Sequence, residues 1–223
     1  MELTAFWTIC TSNGIMVEKD QLDSFVRYRN ELLYWNEKVN LISRKETEEI
    51  FDRHILHSLS ILRYVELPQR SKCIDIGTGG GFPGIPLKIA RPDLHFTLVD
   101  SIAKKIKITG MMASHTGLKN IEAISCRAED LHNNKKYSSY FDFVFSRAVA
   151  KTESIIEWSK FLIKRKSKIV LLKGGDLKDE LDSAISLFPD MQFNVIEIDM
   201  LGTDWFKVDE KKIVICEFKS DND

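Results

Sequence analysis

Residues 73 to 86 decide the fold: Cys73-Ile-Asp-Ile-Gly-Thr-Gly-Gly-Gly-Phe-Pro-Gly-Ile-Pro86. An apolar run ends at Ile76, three spaced glycines follow (Gly77, Gly79 and Gly81), and a helical pattern begins at Ile85. Such a loop lets backbone N–H groups and a helix N-terminus approach a ligand where a Cβ would collide. A loose G-x-G-x-x-G match at Gly79, Gly81 and Gly84 alone would fit an unliganded turn equally well. Three acids favour a ligand. Asp75 stands two positions before the first glycine, Asp100 closes the next apolar run, and Glu129 follows the third. Acids after successive strands of one sheet edge are expected to line one crevice. There Asp100 can accept from both hydroxyls of a ribose.

Downstream of this loop, short apolar runs alternate with amphipathic stretches. The expected strands are Cys73–Ile76, His95–Val99, Ile121–Ser125, Phe141–Phe145, Lys168–Leu172, Phe193–Ile198 and Ile213–Phe218. Helical patterns occupy Ile85–Ala90, Ala103–His115, Glu153–Ile163 and Leu177–Phe188. Uniformly apolar strands alternating with helices define an α/β class. The expected fold is Rossmann-like, a seven-stranded mostly parallel sheet with helices on both faces. The last two runs are joined by a loop through Gly202 and Trp205, which predicts an antiparallel pair at one edge.

Upstream, the periodicity is helical. A short segment ends at Asn13-Gly14, and Leu22, Phe25, Val26, Leu32 and Leu33 share one face of a second helix. Ile50, Phe51, His54, Ile55, Leu59 and Leu62 form the stripe of a third, and Pro68 closes this half. The expected organisation is an N-terminal helical cap over 1–68 and a ligand-binding domain over 69–223.

The chain has 223 residues, 43% hydrophobic and 29% charged, which suits a globular protein. Its four cysteines lack metal-ligand spacing, so neither a zinc site nor a disulfide framework is expected. No basic leader and no bilayer-length apolar run are present, so the expectation is a cytoplasmic protein without a membrane partner. A net charge of −1 excludes coating nucleic acid by bulk charge but leaves room for a local basic face.

The spacing of Asp75, Gly77, Gly79 and Gly81 resembles motif I of the class I S-adenosylmethionine-dependent methyltransferases. The longer string Asp75-Ile-Gly-Thr-Gly-Gly-Gly-Phe-Pro-Gly-Ile-Pro-Leu resembles one subfamily, the small-subunit ribosomal RNA methyltransferase G family, also called glucose-inhibited division protein B. Pro83 and Pro86 are unusual in a generic loop of this type. Asn40-Leu-Ile-Ser, Arg53-His54, Ser58-Leu59, Arg91-Pro-Asp, Leu98-Val-Asp-Ser, Ser146-Arg-Ala-Val-Ala and Leu172-Lys-Gly-Gly extend the likeness over roughly residues 36–175. The resemblance implies S-adenosylmethionine as cofactor and methylation of guanine N7 in 16S rRNA, with the small ribosomal subunit as partner, no DNA, and a monomer. It implies cofactor contacts at Gly77, Gly79, Phe82, Asp100, Ala128, Glu129 and Arg147. Many members carry Asp where this chain has His57.

N7 of guanine holds a lone pair and no proton, so its methylation needs positioning and no general base. The run after the fourth strand, Ser146-Arg147-Ala148-Val149, lacks the Asn/Asp-Pro-Pro-aromatic motif common among exocyclic-amine methylases. No catalytic acid or base is assigned. Substrate candidates are Arg53, His54 and Lys173. As alternatives, Arg53 suits a domain interface, His54 a hydrogen-bonded core, and Lys173 a cap on its loop. A small-molecule methyltransferase with an enclosed apolar pocket shares the same crevice pattern. So does a non-catalytic S-adenosylmethionine- or ribosome-binding protein. A nicotinamide-dependent oxidoreductase is more distant.

Overall fold

The computed structural model describes residues 1–219. The last four positions of the expected 69–223 unit lie outside the described residues.

Among the described residues seven strands form one sheet, ordered β3-β2-β1-β4-β5-β7-β6. They are β1 (Lys72–Ile76), β2 (His95–Asp100), β3 (Ile121–Ser125), β4 (Phe141–Arg147), β5 (Ile163–Gly174), β6 (Met191–Glu197) and β7 (Lys211–Phe218). β1 to β5 run parallel, and β7 is antiparallel to both β5 and β6. The expected antiparallel pair is present, but its second strand is inserted between β5 and β6. β7 buries four consecutive residues, Ile213 to Cys216, and therefore needs strands on both sides. The half-exposed β6 takes the edge.

Alternate residues divide between two apolar layers, as the period of two requires. Phe143, Phe145, Val170, Leu172, Ile213 and Ile215 join one cluster. Val144, Ile169, Leu171, Val214 and Cys216 join the other. The first layer is covered by α1 (Leu3–Ser12), α2 (Lys19–Asn36), α5 (Gly84–Ala90) and α6 (Ala103–His115). The second is covered by α7 (Thr152–Ser159) and α8 (Lys178–Leu187).

The third expected helix is not a single α-helix. A 3₁₀ segment, Arg44–Glu49, passes into a π-helical segment, Ile50–Leu56. Two short helices follow, α3 (His57–Leu59) and α4 (Ile61–Tyr64). The wider π turn places Ile50, Phe51, His54, Ile55 and Leu56 all in the interior. Helix α7 stops at Ser159, short of the expected Ile163, because Ile163 pairs with Phe141 and opens β5. The connection from β6 to β7 contains a further short helix, α9 (Trp205–Val208).

The N-terminal helices are tied to both ends of the sheet. Gln21 donates to the carbonyls of Ile89 and Ala90 at the end of α5. Asn13 exchanges hydrogen bonds with Leu201 (2.8 and 2.9 Å), and the Tyr64 hydroxyl bridges Asp199 O and N, so the cap also grips the β6–β7 connection. Among the described residues no helix is long and apolar enough to cross a membrane.

Candidate active site at the strand ends

After β1 the chain turns through Gly77 and Gly79 at φ +68° and +54°, a region costly for any residue with a Cβ. The N–H groups of Gly77 and Thr78 donate to Val99 O at 2.8 and 3.0 Å, laying the loop along the end of β2. Gly79 N–H donates to Asp100 Oδ2 at 2.9 Å, and Thr109 Oγ1 donates to Gly79 O at 2.6 Å. A Cβ at Gly79 would meet nothing closer than 4.0 Å, so that face of the loop is open. At Gly77 a Cβ would fall 2.4 Å from a methyl of Val149, which lies against the glycine from the loop after β4.

Asp75 is not in the crevice. It is fully buried under the loop, where Oδ2 accepts from Thr78 Oγ1 (2.6 Å) and Gly84 N–H (2.9 Å). Burial raises its carboxyl to about 6 against these two hydrogen bonds. Its role is to brace the loop, because α5 approaches so closely that a Cβ on Gly84 would touch Leu98 and Asp75.

Asp100 is 9% exposed at the end of β2. Its Oδ1 accepts from Ile102 N–H at 2.9 Å, so each oxygen holds one backbone donor and keeps lone-pair capacity. Ala128 opens a 3₁₀ turn after β3 and is buried, while the Glu129 carboxylate is 39% exposed beside Arg127. An open glycine face, a strand-end carboxylate and a small residue after the third strand suit a nucleoside carrying a short polar tail. Cys126 is no rival centre, since burial first and then Asp130 and Glu129 raise its thiol.

The other expected residues gather one step along the sheet. Arg147 ends β4 and stacks its guanidinium 4.7 Å from the centre of the Phe82 ring. It donates to Arg53 O at 3.2 Å and to His54 Nδ1 at 2.7 Å. Burial lowers this guanidinium to about 10, which still leaves it charged at neutral pH. Phe82 is 2% exposed, packed between Tyr28, His54 and Arg147, so it supports the loop from inside.

His54 is buried, and burial ahead of the Arg147 charge lowers it to about 3, so it is neutral. His57, also buried, meets Trp205 and Phe206 edge-on at 5.7 Å and is held well below the usual histidine range by burial. Where a carboxylate was implied, this chain has a neutral imidazole. Arg53 bridges Glu49 (3.3 Å) and Asp209 and lies 4.6 Å over Trp205, joining the π segment to α9. Lys173 pairs with Glu180 at 2.7 Å and donates to Ala150 O at 2.7 Å, holding the loop that carries Val149.

Arg53, His54, Arg147 and Lys173 all line one cleft of about 660 Å³ beside the ends of β4 and β5. Glu46 and Trp205 complete its walls, and sequence reasoning singled out neither. Their signal was weak: an acid in a charged run, and a tryptophan in a connection read as plain loop. Tyr28 was missed as well. Its hydroxyl donates to Gly80 O at 2.7 Å, tying α2 to the glycine loop.

The profile of the family described as rRNA small subunit methyltransferase G matches residues 21–204. A ribosomal RNA small subunit methyltransferase G of Christiangramia forsetii is 44% identical over 168 residues, 73% of this chain and 77% of that protein. One of Flavobacterium psychrophilum is 40% identical over 198 residues, 85% and 88% of the two chains. Among solved structures, Aeropyrum pernix fibrillarin in complex with natively bound S-adenosyl-L-methionine superposes with a TM-score of 0.55 at 11% identity, covering 74% of each chain. That likeness concerns the fold. The profile match and the identities over most of both chains establish that this chain belongs to the rRNA small subunit methyltransferase G family.

Proposed function

We propose that this protein methylates N7 of a guanine in 16S rRNA, using S-adenosylmethionine, on the small ribosomal subunit or its assembling form. The observation that carries the reading is the pairing of an open glycine loop with a charged, half-open cleft at adjoining strand ends. When bound, S-adenosylmethionine supplies an electrophilic methyl group on a sulfonium.

The chain's own residues bind and orient. Gly79 would leave room over the loop, Gly77 lets Val149 close in beside it, Asp100 would accept from ribose hydroxyls, and Ala128 with Glu129 would border the adenine. Arg147, seated on Phe82, supplies a fixed cation at the border between loop and cleft. With S-adenosylmethionine held there, these residues would need only to align guanine N7 with the sulfonium methyl, the C–N bond forming as the C–S bond breaks and its electron pair passes to sulfur. No proton moves, and the neutral His54 and His57 are not needed as bases. Residues 1–68 serve as the cap that bears one wall of the cleft, and residues from 69 onward form the cofactor-binding domain. A monomer acting in the cytoplasm on RNA rather than DNA completes the proposal.

A small-molecule enzyme would favour an enclosed apolar pocket. Here the cleft is open, and Lys45 and Lys211 on its walls make no ion pair among the described residues, which suits a phosphate-bearing polymer. The test is transfer of labelled methyl from S-adenosylmethionine to small subunits from cells lacking the gene, with the site mapped by cleavage at 7-methylguanine. Label at one guanine is expected. Binding of S-adenosylmethionine without transfer to subunits, naked rRNA or assembly intermediates would refute the proposal.

A further inference from the structure

We infer that the cleft between the 3₁₀–π segment and α9 seats the acceptor guanine, and that Glu46 reads its N1–H and 2-amino group. This rests on the RNA reading above and adds the atoms by which the base is chosen.

The cleft has the size of a small-molecule site, within the range of ~300–1,000 Å³ typical of ligand pockets. Its lining holds three buried polar atoms without a partner: His54 Nε2, His57 Nε2 and Trp205 Nε1. The two histidines are 4% and 6% exposed. Buried donors and acceptors are rarely left unpaired, and a group of them around one cavity marks where a polar ligand belongs. His54 accepts from Arg147 at Nδ1, so in its neutral form the hydrogen sits on Nε2, and that atom is a donor.

Three carboxylates line the same cleft. Glu49 and Asp209 are both paired with Arg53. Glu46 makes no ion pair with lysine or arginine among the described residues, although the Arg147 cation feels its charge; its polar side-chain neighbour is His54 Nε2, at 3.4 Å. A carboxylate only accepts. Among the four RNA bases guanine alone offers two adjacent donors on its pairing edge, N1–H and the 2-amino group. Uracil offers one, while adenine and cytosine each place an acceptor beside theirs. A carboxylate outside any lysine or arginine ion pair therefore selects guanine, and a base held by that edge turns its N7 away from Glu46. The O6 atom between the two edges meets the donor side of the cleft, where His54 Nε2–H and Trp205 Nε1–H are unpartnered.

The same carboxylate favours the reaction. As N7 gains its methyl the purine becomes cationic, and a fixed negative charge beside N1–H attracts it more strongly in the transition state than in the ground state. Because burial keeps His54 neutral, no neighbouring imidazolium cancels that charge.

The experiment compares wild type with Glu46→Gln in methyl transfer to small subunits carrying either guanine or inosine at the acceptor position, alongside S-adenosylmethionine affinity by calorimetry. Glu46 has a 44% exposed side chain, so Glu46→Gln should fold, which an unchanged urea midpoint checks. The expected result is a loss of roughly 5- to 150-fold in kcat/KM, the range for a bidentate side chain–base contact, with cofactor affinity retained. Inosine, lacking the 2-amino group, should cost the wild type ~10-fold, as for one hydrogen bond to a charged acceptor, and the variant much less. Undiminished transfer by Glu46→Gln, or equal inosine penalties in both proteins, would overturn the pocket alone. No transfer by the wild type to any rRNA would overturn the RNA reading and the pocket with it.

Discussion

Burial pushes the Asp75 carboxyl up to about 6, so between about pH 4 and pH 6 the folded chain holds a proton that the unfolded chain has released. Stability from this group is therefore greatest at low pH, falls as pH rises through that window, and is level above it. The fall is about 3 kcal/mol at most, at 1.36 kcal/mol per pH unit. Asp75→Asn keeps an oxygen for Thr78 and Gly84 and should remove the fall, which urea midpoints from pH 4 to 7.5 would show. A matching pH profile in the variant would contradict the assignment. Asp100 leads to a different expectation. Asp100→Ala should weaken S-adenosylmethionine binding by ~1.5–3 kcal/mol, the range for a hydrogen bond to a charged group, read by calorimetry. Unchanged affinity in a folded variant would remove Asp100 from the ribose site. The placement of the glycines and Asp100 at the strand ends was legible from their spacing, whereas Arg147 was singled out through the family resemblance. The inward turn of Asp75 was not, since it depends on how closely α5 packs. Nor was the orphaned ring of His57, because its surroundings come from α9, about 150 residues later.

At the scale of elements, α2 supports the glycine loop through one hydroxyl. Tyr28 is fully buried, and its one side-chain hydrogen bond among the described residues is to Gly80 O. Tyr28→Phe leaves that carbonyl unpaired and should cost about 1–3 kcal/mol in denaturant titration, the penalty for a buried acceptor left unsatisfied. A smaller loss would mean water replaces the hydroxyl. The strands were readable because both faces of the sheet are covered, so each central strand is a short unbroken apolar run. Two elements were obscure for physical reasons. The start of β5 is written Lys164-Arg165-Lys166 and becomes strand only through its pairing beside Phe141, where the register shifts. The π segment has an apolar stripe that an α-helix would also satisfy, and one extra residue in a turn leaves no mark on composition.

The whole molecule behaves as one body. A single apolar cluster runs from Phe6 and Phe25 in the cap through Leu98 and Phe145 in the sheet to Phe206 and Ile215 near the end of the described chain. Heat or urea should therefore unfold it in one step, with fluorescence and circular dichroism changing together. A chain starting at Gln69 would lose Tyr28 from Phe82 and Leu32 from Gly80, uncovering that side of the glycine loop, and should lack a cooperative transition. Two separate transitions in the full chain would contradict this.

The two walls of the cleft are far apart in sequence: the π segment is made early, and α9 with Asp209 about 150 residues later. During synthesis a polypeptide that has reached β5 already owns its glycine loop, but not the tryptophan or the aspartate that close the cleft. Competence to recognise an acceptor thus requires the early π segment and the later α9 to be in place together.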